Sequence, residues 1–171
     1  MPQAEIKDWT WVLERRCPEC GFDASTVPYE RVPELLRENA AAWPAVLARA
    51  DVRDRPAPEV WSPLEYAAHV RDAHVIFGER LALMLGDDDP AFANWDPDET
   101  AERDRYAEAD PAAVGQALIR AADRTAAAFA AVAAGDLGRT GRRSDGTIFT
   151  VESLARYYVH DPIHHLHDVD R

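Results

Sequence analysis

Four stretches of this chain space their apolar residues at the three-to-four-residue interval of an α-helix, and a helical bundle is the architecture that buries such stripes together. The first covers residues 32–50, with Val32, Leu35, Leu36, Trp43, Val46 and Leu47 on one face; Pro44 lies inside it and is expected to kink or split it. The second has the clearest start: Ser62 as N-cap, Pro63 at the first helical position and Glu65 completing an S-x-x-E capping box. It continues through Tyr66, Val70, Phe77, Leu81 and Met84 to a stop at Gly86. A third follows Asp110-Pro111, carries Val114, Leu118, Ala121 and Phe129, and ends at Gly135. The fourth opens near Thr150 with Val151, Leu154, Ala155, Tyr158 and Val159 on its apolar side.

The connections complete the fold class. An acidic, proline-containing stretch occupies residues 87–110, and a turn-rich loop with three arginines occupies 138–146. Thr147-Ile148-Phe149 makes at most a short extended piece. The expectation is an all-α four-helix bundle over residues 31–171 with long crossover loops, preceded by an N-terminal extension, residues 1–30.

At 171 residues the chain suffices for one domain with a proper core. Its formal net charge of -12 repels phosphate backbones and anionic lipid, so nucleic acid and membranes are poor partners and a small-molecule substrate is the better expectation. No apolar run is long enough to span a bilayer, and Met1 leads into the polar Pro2-Gln3-Ala4-Glu5, so the expected location is cytoplasmic.

The segment richest in chemistry is His160-Asp161-Pro162-Ile163-His164-His165-Leu166-His167-Asp168. At about 100° per residue, His160 and His164 differ by roughly 40° and lie one turn apart, so both imidazoles reach one ion. His167 falls within about 20° of His160, while His165 points roughly 140° away. His69 sits on the inward stripe of the second helix and supplies a third ligand; His74, about 140° round from it, is expected to be exposed. Three histidines leave a coordination position open, the arrangement of a catalytic rather than a sealed structural metal site. Pro162 removes a backbone donor between the two late ligands and is expected to distort that turn.

Cys17-Pro18-Glu19-Cys20-Gly21 has the form of a zinc knuckle, but offers only half of a closed four-ligand site. His74, His165, His167 or an Asp are candidates for the rest, and a redox pair is the alternative reading. Arg139, Arg142 and Arg143 are candidates for holding a substrate carboxylate, and Trp95 for a pocket wall. Asp161 and Asp168 are candidates for orienting the ligating imidazoles.

Two segments, Trp61-Ser62-Pro63-Leu64-Glu65-Tyr66-Ala67-Ala68-His69-Val70-Arg71-Asp72 and Tyr158-Val159-His160-Asp161-Pro162-Ile163-His164-His165, resemble the DinB/YfiT-like metalloenzyme family. That family shares a fold with thiol-dependent transferases such as the mycothiol-dependent maleylpyruvate isomerases. The resemblance extends from about Val32 to Arg171 and implies a metal on His69, His160 and His164, with His165 as a neighbour. It further implies a divalent ion, Zn or Ni, activating a water or a low-molecular-weight thiol such as mycothiol against a small electrophile. The activity expected is thus that of a metal-dependent thiol transferase or hydrolase. A non-enzymatic metal-binding module in stress response, or a homodimerisation scaffold, is the alternative.

Overall fold

Local signals written in the sequence start each helix of the structure, a computed structural model that describes residues 8–170. Residues 1–7 of the extension, and with them the N-terminal segment read for targeting, lie outside the described residues, as does residue 171. Helix α1 (Val32–Leu47) carries Pro33 in its first turn and runs through Pro44 unbroken. Helix α2 (Pro63–Gly86) begins at the expected capping box, in which Ser62 Oγ accepts from the Glu65 N–H at 3.3 Å and the Glu65 carboxylate accepts from the Ser62 N–H at 2.9 Å.

The acidic connection is less irregular than its composition suggests. Asp96 accepts from the N–H groups of Asp98 and Glu99 and starts α3 (Pro97–Arg103). Asp110 does the same for α4 (Pro111–Ala130), bonding the Ala113 N–H at 2.8 Å. The Arg-rich loop also contains structure. Strand β1 (Thr140–Arg142) pairs antiparallel with β2 (Ile148–Thr150), and the left-handed Gly146 turns the chain between them. Thr150 then caps α5 (Val151–Val169) through a reciprocal bond with Ser153.

Helices α4 and α5 each pack extensively on both α1 and α2, whereas α1 meets α2 much less, so the two sequence neighbours face each other diagonally. Phe77, Leu81, Met84, Phe129, Leu154 and Tyr158 form one buried cluster, and Trp43, Leu64, Val70, Tyr106 and Leu118 anchor a second. Complete burial of side chains of this size contributes about 1.5–3 kcal/mol each.

Pro162 does not break α5. The buried Asn39 of α1 donates to the Pro162 carbonyl at 2.8 Å and accepts from Trp43 Nε1 at 3.0 Å. This pins the rotation of α5 at the turn that carries its histidines. The described part of the extension lies along α5: Arg156 Nε holds the Val27 carbonyl at 2.9 Å, and Val27 and Tyr29 enter the bundle core. Among the described residues no helix is long and apolar enough to cross a membrane.

Candidate metal centres

Helix α5 presents two pairs of donors at one-turn spacing, and packing turns them toward different neighbours. His160 and His164 face the extension, while Asp161 and His165 lie about 100° further round and face α2.

On the α2 side, His69, Asp161 and His165 bring their donor atoms within 4.8 Å of one another. His69 Nε2 stands 3.4 Å from Asp161 Oδ2, and His165 Nε2 stands 3.4 Å from Asp161 Oδ1. With metal bonds of 2.0–2.2 Å, the edge of a tetrahedron of nitrogen and oxygen ligands is about 3.4 Å. Among the described residues, Asp161 Oδ2 and His69 Nδ1 are buried without a hydrogen-bond partner, a costly state for a carboxylate oxygen. Two neutral imidazoles and a carboxylate therefore fit a divalent cation, and three ligands leave a coordination position open.

The charges agree. Burial works against a charged His165, but Asp161, by its charge and hydrogen bond, and then Asp168 push it up to about 9. Asp161 itself stays well below the usual carboxylate range despite burial, held by His165 and His69. A protonated His165 thus balances Asp161 where no cation does, and His165 must release that proton to become a ligand. Its other nitrogen, Nδ1, is 3.1 Å from Asp168 Oδ2, the carboxylate that fixes ring orientation behind a metal-binding histidine.

On the adjacent face, Cys17, Cys20, His160 and His164 form a second converging set. The expectation that His69, His160 and His164 share one ion is not what the geometry shows: those three do not form a common donor set. The difference is one of register. Asp161-x3-His165 has the same spacing as His160-x3-His164, and the rotation of α5 gives the former pair to His69.

Both late pairs line a cavity of about 560 Å3, whose walls include Trp9, Trp61, Trp95, Arg80, Arg143 and Tyr157. Trp95 stacks flat on His69, with ring centroids 5.2 Å apart and planes 3° from parallel. Of the three expected arginines only Arg143 lines this cavity, and it is tied to Asp145, Asp8 and the Tyr157 hydroxyl. Arg139 instead caps the end of α2 through the Met84 and Asp87 carbonyls, and Arg142 pairs with Asp89 away from the cavity.

One residue escaped the sequence reading and another was misplaced by it. Arg80 is buried at 9% exposure, lines the cavity between the Phe77 and Phe92 rings, and has no carboxylate partner among the described residues. Its position in the interior of a long helix gave no local signal. His74 is fully buried rather than exposed, its Nδ1 hydrogen-bonded to the Tyr158 hydroxyl. Burial pushes its pKa down to about 4. Helix α2 packs on both α4 and α5, so a single inward stripe underestimates how much of it is covered.

The fold has a solved counterpart. YfiT from Bacillus subtilis, described as a probable metal-dependent hydrolase with an unusual four-helix bundle topology, superposes with a TM-score of 0.71 at 20% identity, over 87% of this chain and 86% of that one. No curated protein sequence matches the chain. The DinB superfamily sequence model, in contrast, matches residues 29–169, from the last turn of the extension to the end of α5. The chain belongs to the DinB superfamily.

Proposed function

We propose that this protein is a metal-dependent hydrolase whose ion is held by His69, Asp161 and His165 and whose substrate is a small electrophile carrying an anionic group. The observation that carries the reading is the three-donor set itself: two imidazoles and an unpartnered buried carboxylate oxygen, converging at the wall of a cavity. The likeness to a bundle described as a probable metal-dependent hydrolase supports it. When bound, a Zn or Ni ion in such a set supplies Lewis acidity to the substrate and lowers the pKa of a water or thiol nucleophile.

The chain's own residues do the rest. Asp168 holds His165 in the ring orientation that aims Nε2 at Asp161. Trp95 and Trp61 pack on His69 and line its side of the cavity with aromatic rings. Arg80, without a carboxylate partner among the described residues, is the group placed to receive a substrate anion, whereas Arg143 already pairs with Asp145.

Hydrolysis of small esters, amides and lactones by protein loaded with Zn or Ni, before and after chelation, tests the reading. Activity is expected to vanish on chelation, return with metal and be lost in His165→Ala, while Arg80→Met raises KM for anionic substrates above that for neutral ones. Hydrolysis that survives both chelation and His165→Ala would overturn it. Thiol addition measured in the same assay, with mycothiol or another small thiol, separates transfer from hydrolysis.

A further inference from the structure

We infer that Cys17, Cys20, His160 and His164 form a second, closed zinc site that clamps the N-terminal extension onto α5 beside the cavity. The inference stands apart from the hydrolase reading, because it uses none of His69, Asp161 and His165.

The knuckle is built to hold an ion. The Gly21 N–H donates to the Cys17 carbonyl at 2.9 Å and the Cys17 N–H to the Phe22 carbonyl at 2.9 Å, which folds the loop back on itself. Gly21 makes the turn at φ +74°, a conformation that side chains resist. Both sulfurs then face α5. Cys17 Sγ is 3.6 Å from His164 Nδ1, and Cys20 Sγ is 3.6 Å from His160 Nε2. With Zn–S near 2.3 Å and Zn–N of 2.0–2.1 Å, the sulfur–nitrogen edge of a tetrahedral site is about 3.5–3.6 Å.

The donor set has the chemistry of a structural zinc site. Cys2His2 fills all four tetrahedral positions, in contrast with the three-ligand set on the other face of α5. Cys17, His160 and His164 are buried, so the ion would sit out of solvent. The outward nitrogen of His164 faces the carboxylates of Glu19, at 3.4 Å, and Asp168, at 3.7 Å, the support expected behind a ligating histidine. Glu19 lies between the two cysteines, so the knuckle brings one carboxylate with it.

The site has a structural consequence. Trp9 packs on the rings of both His160 and His164, with centroids 5.7 and 5.2 Å away, and lines the cavity. Holding the knuckle on α5 therefore holds Trp9 in place as a wall of the cavity. Removal of this zinc is expected to loosen that wall while the three-donor set keeps its ligands.

The test uses untagged full-length protein loaded with Co(II) in place of zinc. Wild type is expected to show a near-ultraviolet thiolate-to-cobalt band together with the visible bands of a tetrahedral ion. The Cys17→Ser/Cys20→Ser pair loses the thiolate band and the equivalent of metal that goes with it, and Cys20→Ser weakens both; His69→Ala keeps the thiolate band while losing only the other site's metal. Because a variant can fail to fold, thiol labelling of zinc-loaded wild type gives an independent reading: both cysteines resist the reagent until a chelator is added. A wild-type cobalt spectrum without a thiolate band, thiols equally reactive with and without zinc, or a Cys17–Cys20 disulfide in protein handled under reducing conditions would each overturn the proposal.

Discussion

Asp168 stands behind a histidine of each proposed site, and its removal should weaken them unequally. Its Oδ2 lies 3.1 Å from His165 Nδ1, a direct hydrogen bond, but 3.7 Å from His164 Nε2, where Glu19 stands closer at 3.4 Å. Loss of a carboxylate behind a ligating histidine lowers metal affinity about 10–100-fold, equivalent to about 1.4–2.7 kcal/mol at 1.36 kcal/mol per tenfold. Asp168→Ala should therefore cost the His69/Asp161/His165 site that full range, and the Cys2His2 site less than about tenfold because Glu19 remains. Asp168→Asn, which keeps an acceptor but not the charge, should fall between wild type and Asp168→Ala. Competition titration against a chelating dye reads both affinities, with Cys17→Ser/Cys20→Ser isolating the three-donor site and His69→Ala the four-donor site. Equal losses at the two sites, or a three-donor affinity changed less than about threefold, would refute the assignment of Asp168 to His165.

Three further outcomes follow from the same packing. Asn39→Ala strips the buried Pro162 carbonyl of its donor and Trp43 Nε1 of its acceptor, and should cost about 1–3 kcal/mol in denaturant unfolding; an unchanged midpoint would contradict the pinning of α5. Gly141→Ala places a Cβ 2.5 Å from Phe92 Cζ and 2.8 Å from Met84 Cγ, and the overpacking should destabilise by about 1–3 kcal/mol in the same measurement. His74, pushed down to about 4 by burial, stays neutral in the folded chain while the unfolded chain takes up a proton below about 6.5. It therefore removes stability as pH falls from 6.5 toward 4, at up to about 1.4 kcal/mol per pH unit. His74→Gln should flatten that slope, and a slope identical to wild type would show that His74 does not titrate as described.

The helices were legible because their signals are local. Ser62-Pro63 with Glu65, Asp110-Pro111 and the Thr150 region each satisfy the first orphan N–H groups of a helix within a few residues. Asp96-Pro97 carries the same signature as Asp110-Pro111, so α3 was readable too, but its acidic, proline-containing surroundings suggested a loop. Strand β1 was not, since Thr140-Gly141-Arg142 has no alternation to betray it; it pairs with β2 where Phe92 and Met84 crowd the bare face of Gly141. The site was half legible. One-turn spacing on α5 marked out ligand pairs, but which pair faces α2 depends on the rotation of α5, set by long-range contacts such as Asn39 with the Pro162 carbonyl. The partners of Cys17 and Cys20 lie 147 and 140 residues away in the chain, beyond the reach of any local pattern.

The central claim is that α5 divides its donors between two ions, and anomalous diffraction at the zinc edge from crystals of zinc-loaded, untagged protein tests it most directly. The account predicts two peaks beside adjacent faces of the helix, one enclosed by Cys17, Cys20, His160 and His164, the other bounded by His69, Asp161 and His165 and open toward the cavity. A single peak shared by His69, His160 and His164, with both cysteines free, would contradict it.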